Sequence, residues 1–331
     1  MSKQIKNMES NNSNTELNIE LKSMRVEFGA GLVEAASTDE RIVALCADLT
    51  ESTGLSDFKD KFPDRFIQVG VAEQNLATVA SGMAAMGKIP FMASYAVFSP
   101  GRNWEQIRTT ICYNDRPVKI IGSHTGVNVG PDGGSHQALE DIAMMRSLPR
   151  MVVISPCDAL EAKKAAIAMS KTDSPTYVRL AREKSPNMTS DDTPFVIGKA
   201  NIIFGGSSKP DVGIISTGAI TYEALQAAKK LEEMGKKVTV LNLSTIKPLD
   251  RDKIIELARS AGAIVTVEEH QMAGGMGSAV AELLAKEYPV PMEFVAVNDV
   301  FGQSGKSDEL LSLYGLDRKG IVEAVMRVLK R

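Results

Sequence analysis

The chain has 331 residues, 44% of them hydrophobic and 24% charged, which is enough for about two domains with cores of their own. This composition excludes a disordered chain, a collagen and a coiled coil. The 38 lysines and arginines nearly balance the 41 aspartates and glutamates, so the net charge of −3 supplies no positive field for a polyphosphate backbone. We therefore expect no nucleic-acid partner. The longest uncharged stretch, residues 74–87, contains Gln, Asn, Thr and Ser side chains, which indicates a buried or interfacial helix and no membrane span.

Residues 1–20 are rich in Asn, Ser and Glu and lack the apolar segment of a signal peptide, so we expect a disordered polar tail there. The three cysteines, Cys46, Cys112 and Cys157, are far apart, lie in apolar contexts and form no metal-binding pair. They are expected to be reduced thiols in the core of a cytoplasmic protein.

Apolar runs that favour strands alternate with helical patterns between residues 21 and 183. We expect helices at 24–37, 73–86, 104–113, 139–148 and 159–170, and strands at 42–47, 66–69, 89–93, 118–122, 151–155 and 176–180. Strands that are apolar throughout and separated by helices indicate a mostly parallel sheet covered on both faces. The first domain, 21–183, is therefore expected to be an α/β domain with a doubly wound sheet.

The apolar periodicity stops between residues 184 and 194, where Lys, Ser, Pro, Asn, Thr and Asp predominate, as is typical of an interdomain linker. A second alternation follows in residues 195–331 and predicts a smaller α/β domain. Its expected strands are 212–216, 238–243, 263–268 and 292–297, and its expected helices are 222–234, 251–261, 278–286 and one from 319 onward.

Nucleotide-binding motifs are absent, although α/β sheets commonly bind nucleotides beyond the carboxyl ends of their strands. The sequence contains no GxGxxG, and Gly305-Lys306-Ser307 is not the end of a P-loop because the required glycine five residues earlier is Val300. The glycines at 274–277 could present N–H groups to an anion, but a glycine-rich turn that begins a helix is the commoner explanation.

Glu73 follows a predicted strand and begins a helix crowded with Ala, Ser and Gly. An acid in a first helical turn is commonly there for the helix dipole, which it stabilises by about 0.3–1 kcal/mol. The small side chains instead indicate that another backbone packs closely on this helix, and a carboxylate at such a dry contact suits proton chemistry. The residues alone leave both interpretations open.

Several motifs resemble transketolases. Residues 69–75 (VGVAEQN), 95–99 (YAVFS) and the loop 124–137 resemble the pyrimidine-binding domain of that family. Residues 47–50 (ADLT) resemble its segment near the thiazolium ring. Residues 301–305 (FGQSG), with Glu309-Leu310 and 314–316 (YGL), resemble its C-terminal domain, and the likeness covers about residues 21–331.

The resemblance implies that thiamine diphosphate is the cofactor and gives roles to several residues. Glu73 would bind the N1′ atom of the aminopyrimidine and favour the imino tautomer, which removes the proton from thiazolium C2. Phe98 would stack on the pyrimidine, Tyr95 would line the pocket, and Asp48 and Leu49 would lie near the thiazolium. Without the resemblance, Phe98 reads as a core residue.

The resemblance also implies a substrate site for sugar phosphates. His124, Asp132 and His136 would contact the sugar hydroxyls, and the histidines would take part in catalysis, because cleavage of a ketose C2–C3 bond requires proton removal from a hydroxyl. Arg182, and less clearly Arg179, would bind the phosphate, although either could be a solvated charge at a strand end. We interpret the third histidine, His270, as structural.

One departure from the family is that the sequence contains no Gly-Asp-Gly, the motif with which full-length transketolases hold Mg²⁺ beside the cofactor diphosphate. No metal ligand is therefore expected in this chain. The resemblance implies a split transketolase in which a separate N-terminal, diphosphate-binding subunit ligates Mg²⁺. We expect a heterotetramer built on a dimer of this chain, which transfers a two-carbon ketol unit between sugar phosphates and has no membrane partner.

Three other functions remain open on the sequence. The first is the β subunit of a thiamine-dependent 2-oxo acid dehydrogenase, against which the 132–136 loop and the 301–305 motif count. The second is a synthase of deoxyxylulose phosphate, which shares parts of these motifs. The third is a non-catalytic subunit that retains the fold, against which Glu73, Phe98 and the histidine pair count.

Overall fold

The computed structural model describes residues 20–331, so the expected tail at residues 1–20 lies, apart from Glu20, outside the described part of the chain. The first half of that part is an α/β domain. Its strands are β1 (Leu21–Lys22), β2 (Ile42–Cys46), β3 (Phe66–Gln68), β4 (Ile89–Tyr95), β5 (Lys119–Ser123), β6 (Val152–Ile154), β7 (Thr176–Leu180) and β8 (Ser185–Pro186). Its helices are α1 (Met24–Ala36), α2 (Ser56–Lys61), α3 (Glu73–Ala85), α4 (Trp104–Gln106, continued as a π-helix over Ile107–Cys112), α5 (Asp141–Arg146) and α6 (Ala159–Ser170).

The second half is a smaller α/β domain. Its strands are β9 (Asn201–Phe204), β10 (Val212–Ser216), β11 (Val238–Asn242), β12 (Thr245–Lys247), β13 (Ile264–Gln271) and β14 (Met292–Val297). Its helices are α7 (Thr221–Glu233), α8 (Arg251–Ala261), α9 (Met276–Glu287), α10 (Ser307–Leu313) and α11 (Arg318–Val328).

The large sheet has the strand order β12-β6-β7-β5-β4-β2-β3, and every pairing in it is parallel except that of β12 with β6. Alternate residues of the fully buried β2 face two different cores. Val43 and Leu45 pack in one core with residues of α3, whereas Ala44 and Cys46 pack in the other with residues of α1. This two-sided burial explains the continuous apolar runs, and it confirms the predicted doubly wound, mostly parallel α/β fold.

The second sheet has the order β14-β13-β10-β11-β9, with β9 as an antiparallel edge strand. One hydrophobic core includes Leu76 and Val153 of the first domain together with Leu241 and Ile264 of the second. In addition, β12 belongs to the second domain in sequence but extends the first sheet. The two domains are therefore joined by shared packing and by a shared sheet edge.

Some elements differ from the expectation. The expected helix at 104–113 turns into a π-helix, in a segment where the hydroxyls of Thr109 and Thr110 donate to the carbonyl oxygens of Glu105 and Gln106, at 2.9 and 2.6 Å. The expected helix at 139–148 is shorter, and the sequence did not predict α2, α10, β9 or β12.

The expected linker is attached to the first domain. The buried carboxylate of Asp158, which caps α6, accepts hydrogen bonds from the backbone N–H groups of Met188 and Thr189 at 2.7 and 2.6 Å. The 184–194 boundary itself stays a prediction.

The three cysteines are free and buried, and burial raises the pKa of the Cys112 thiol to about 11. Within residues 20–331, no helix is long and apolar enough to cross a membrane.

Candidate active site

The candidate site lies at the carboxyl ends of the strands in the middle of the large sheet. Glu73 begins α3 shortly after β3, Tyr95 ends β4, His124 follows β5 and Arg182 follows β7. Because β4, β5 and β7 are parallel neighbours, the residues that follow them lie at one edge of the sheet.

Glu73 is a buried acid with one charged partner. Its side chain is only 2% exposed, and Oε2 accepts a hydrogen bond from Nη1 of Arg102 at 2.9 Å. The side-chain amide of Asn103 donates to the backbone oxygen of Glu73 at 2.9 Å and thereby fixes the start of α3. An acid that served only the helix dipole would remain solvated, so this burial favours a chemical role.

Arg102 is a site residue that the sequence analysis missed. It is 53% exposed on the outer side of the ion pair, and its guanidinium carbon lies 5.3 Å from the ring centre of Phe98. A signal was present, since Arg102 follows Phe98 by four residues, but nothing in the sequence shows that the intervening turn brings it back to Glu73.

Four rings meet beside this ion pair. Tyr95 stacks on His124 with ring centres 3.8 Å apart, and on Phe98 at 6.3 Å with an interplanar angle of 16°. His136 lies edge-on to Phe98 at 5.5 Å. The structure thus brings together Glu73, Tyr95, Phe98 and both predicted histidines.

The first of the two histidines is neutral. Burial, followed by the positive charges of Arg25 and Arg182, lowers the pKa of His124 to about 3. Its Nδ1 lies 3.1 Å from Oγ of Ser123, and the Nδ1 of His136 lies 3.0 Å from Oγ of Ser135. A neutral imidazole at physiological pH can accept a proton or donate its N–H, as acid–base chemistry on a hydroxyl requires.

The loop between the histidines is a 3₁₀ segment, Val127–Asp132, with a break at Gly130. Asp132 is exposed at its end, so the structure places this predicted substrate residue on the surface, four residues before His136. Asp48 is exposed and Leu49 half-buried at the carboxyl end of β2, which is the neighbour of β4 in the sheet.

Two arginines lie at the far end of the ring cluster. Nη2 of Arg25, in α1, donates to the backbone oxygen of Arg182 at 3.1 Å, and its Nη1 donates to the backbone oxygen of Ser52. Arg182 is 30% exposed and donates to the backbone oxygen of Val129 at 2.9 Å. The sequence does not single out Arg25, because a basic residue in a predicted helix is usually an ordinary surface charge.

Arg179 does not join them. Its side chain is 4% exposed, pairs with Asp141 at 2.9 Å and donates to the backbone oxygens of Ala138 and Glu269 at 3.3 and 2.6 Å. Because β7 holds this side chain in a buried network, the predicted phosphate contact of Arg179 is corrected to a structural role.

His270 is also buried. Its Nδ1 lies 2.7 Å from the oxygen of Gln271 and its Nε2 accepts from the N–H of Ala143 at 3.3 Å, which agrees with a structural interpretation. Among the residues that the structure describes, no group of three or more His, Cys, Asp or Glu side chains could hold a metal ion.

Two family descriptions match consecutive parts of this fold. Residues 21–187 match the pyrimidine binding domain of transketolase, and residues 198–321 match the C-terminal domain of transketolase. A doubly wound domain and a smaller α/β domain in this order define the pyrimidine-binding and C-terminal portion of a thiamine-dependent transferase. The chain belongs to the transketolase family.

Relatives of the same length support this assignment. A putative transketolase C-terminal section of Methanocaldococcus jannaschii is 41% identical over 313 residues, which are 94% of this chain and 97% of the relative. A 6-deoxy-6-sulfo-D-fructose transketolase subunit of Clostridium sp. is 39% identical, over 96% of this chain and 97% of the relative. A solved split-gene transketolase, described as an inactive beta4 tetramer, is 44% identical with a TM-score of 0.87 and covers 93% of this chain and 98% of that one.

Proposed function

We propose that this chain is the C-terminal subunit of a thiamine-diphosphate-dependent transketolase and acts with a separate diphosphate-binding subunit. The reaction is the transfer of a two-carbon ketol unit between sugar phosphates. The observation that carries the proposal is the buried Glu73 carboxylate at the start of α3, next to Phe98, Tyr95 and the histidine pair.

The residues present fit the aminopyrimidine of the cofactor. Glu73 would bind N1′ through a carboxylate that is shielded from water, and Phe98 offers a ring for stacking. When bound, thiamine diphosphate supplies the carbanion chemistry at its thiazolium C2. The part of this chain is to orient the ring and to hold a proton at Glu73.

The substrate would lie along the histidines. Together with His136, His124, which is neutral, would take a proton from a sugar hydroxyl and stabilise the oxyanion that develops. Asp132 would contact a hydroxyl from the exposed end of the loop between the histidines. Asp48 and Leu49 would lie near the thiazolium.

Arg182 and Arg25 would bind the phosphate. Two cationic side chains favour a doubly charged anion, and their joint effect on the pKa of His124 fits a substrate that extends from the reacting carbon to a terminal phosphate. A sulfonated sugar, as named for the Clostridium relative, would present an anion to the same pair.

The partner subunit would bring Mg²⁺ and the diphosphate contacts. Support comes from the relatives of equal length that are named as a section or a subunit, and from the related split-gene chain, described as inactive as a beta4 tetramer. A heterotetramer built on a dimer of this chain, and a cytoplasmic location, belong to the same proposal. The alternatives of a 2-oxo acid dehydrogenase subunit, a deoxyxylulose-phosphate synthase and a non-catalytic subunit are less favoured by these names.

The test is reconstitution. The chain is purified alone and together with a diphosphate-binding chain, and ketol transfer is measured with thiamine diphosphate and Mg²⁺. We expect negligible turnover from the chain alone and full turnover from the mixture. Full activity of the chain alone, with no second polypeptide by mass spectrometry, would contradict the split arrangement.

A further inference from the structure

Glu269 belongs to the second domain, but its side chain contacts the loop of the first domain that contains Asn128. It lies near the carboxyl end of β13, on the floor of an interdomain cleft of about 570 Å³ that Asn128, Arg182 and Lys306 also line. We infer that Glu269 is a positioning residue, through which the second domain holds the loop that carries His124, Asp132 and His136. The inference rests on the proposed function only in assuming that this loop binds the substrate.

The carboxylate binds the loop backbone directly. The N–H of Asn128 donates to Oε1 of Glu269 at 2.7 Å, and Glu269 as a whole is 4% exposed. Gly126 has a φ of +77°, and a Cβ on it would lie 2.5 Å from the same Oε1. The loop therefore wraps closely around this oxygen. Since a buried N–H without an acceptor is unfavourable, the carboxyl group of Glu269 determines where the loop can lie.

A second segment of the same domain holds the other end of the loop. The side-chain amide of Gln137 donates to the backbone oxygen of Gln303 at 3.0 Å. A Cβ on Gly134 would lie 2.5 Å from the oxygen of Gly302. The loop is thus held at Asn128 by β13 and at its far end by the segment that follows β14.

The buried network of Arg179 fixes Glu269 itself. Arg179 donates to the backbone oxygen of Glu269 at 2.6 Å and to the carboxylate of Asp141 at 2.9 Å. Burial raises the pKa of Glu269 to about 7, against the opposing effect of Arg179 and of the loop N–H groups of Asn128 and Val127. Glu269 is thus held at its backbone by Arg179 and at its carboxyl group by the loop.

Amide hydrogen exchange tests the inference without any need for activity. In Glu269→Ala we expect exchange of the 126–130 amides to rise about tenfold or more, because the buried N–H of Asn128 loses its acceptor. Glu269→Gln keeps an oxygen acceptor of the same shape and should stay near wild type. Glu269→Asp, which withdraws the carboxylate by one methylene, should raise exchange at the same amides and serves if the alanine variant does not fold.

Glu268→Ala is the matched control. Glu268 precedes Glu269 on the same strand and is equally buried, but its oxygens accept from the N–H groups of Met276 and Gly277 at the start of α9, at 2.7 and 2.8 Å. We expect faster exchange at α9 and no change at 126–130. The inference is overturned if Glu269→Asp exchanges the loop amides as slowly as wild type, or if Glu268→Ala accelerates them as much.

The reconstituted complex gives the functional readout. Glu269→Ala should raise the KM for a phosphorylated donor about tenfold, whereas exchange of the cofactor C2 proton should stay at the wild-type rate because Glu73 is untouched. Glu269→Gln should restore the KM. An unchanged KM in Glu269→Ala would show that the loop needs no such support. If the wild-type complex transfers no ketol group, the proposed function fails while the amide-exchange result still decides the role of Glu269.

Discussion

The two ends of the candidate active site, one at Glu73 and one at His124, are built differently. At the end with Glu73, the carboxylate is buried, but its partner Arg102 is 53% exposed and the nearby Val71 is 71% exposed. At the other end, His124 is 3% exposed as a whole residue, and the second domain binds the loop that follows it. We call the Glu73 end the open end, because its ion pair is exposed on one side, and the His124 end the enclosed end, because residues of this chain surround it.

This contrast indicates what the chain supplies by itself. The geometry of the histidines, and of the arginines beside them, is already set by contacts within the chain. The Glu73 end offers one buried acid and one ring, and the outer side of its ion pair is exposed. A subunit that shares its cofactor site with a partner would have this asymmetry.

The largest effect is expected at the open end. Glu73→Gln retains shape and hydrogen-bonding capacity but cannot carry the negative charge, and loss of a positioned acid–base group costs about 10²–10⁴ in rate. We expect a loss of this size in exchange of the cofactor C2 proton into deuterium oxide, measured by NMR on the reconstituted complex.

The matched control is Glu105→Gln, since Glu105 is an exposed acid in the first turn of α4. It should exchange the proton at the wild-type rate. If Glu73→Gln also exchanged at that rate, Glu73 would be an acid that serves only the helix start, and the open end would lose its proposed chemistry.

At the enclosed end, the largest effect is expected on folding. Arg179→Met leaves the carboxylate of Asp141 buried without its charged partner, and breaking such a pair costs about 3–5 kcal/mol. We expect the free energy of unfolding in urea to fall by about that amount. Arg182→Met, at a half-exposed position, should lower it by less than about 1 kcal/mol. Equal losses in the two variants would mean that the buried pair of Arg179 with Asp141 stabilises the fold no more than a partly exposed arginine does.

These arginines show how far the sequence leads. Continuous apolar runs predict the parallel sheet, and the ends of its strands predict where the site lies. Arg179 and Arg182 are three residues apart and look alike in sequence. However, Arg179 lies within β7 and is buried, whereas Arg182 lies two residues beyond the end of that strand and is partly exposed. Their difference depends on Asp141 and Glu269, which lie far away in the chain.

The same reason explains the residues that were missed. Arg25 and Arg102 acquire a role only through the residues they meet in the fold, Arg182 and Glu73. Strand β12 is three residues long and pairs with a strand of the other domain, so no local sequence pattern predicts it. Glu269 resembles any acid at a strand end until the loop is seen to wrap around it.

The enclosed end should also make stability depend on pH. Glu269 ionises with a pKa of 4.5 when unfolded and about 7 when folded, so between these values the folded chain keeps a proton that the unfolded chain has released. The free energy of unfolding therefore falls as pH rises from about 4.5 to about 7, by roughly 3 kcal/mol at most from this group. Glu269→Gln should remove that part of the slope in urea unfolding at several pH values. A variant with the wild-type slope would show that Glu269 does not titrate in this window.

The smallest effect separates substrate binding from the chemistry of the open end. Arg182→Ala should weaken the use of a phosphorylated sugar by about 1.5–3 kcal/mol in kcat/KM, which is the range for a lost charge-assisted contact. Hydroxypyruvate has no phosphate, so its kcat/KM should change little, and the ratio of the kcat/KM values for the two donors isolates the phosphate contact.

Arg25→Ala should shift this ratio in the same direction if both guanidiniums bind the anion. Equal losses on both donors would show that Arg182 supports the loop through Val129 and does not bind phosphate. The enclosed end would then serve to hold the histidines in place, and the anion would have to be bound elsewhere.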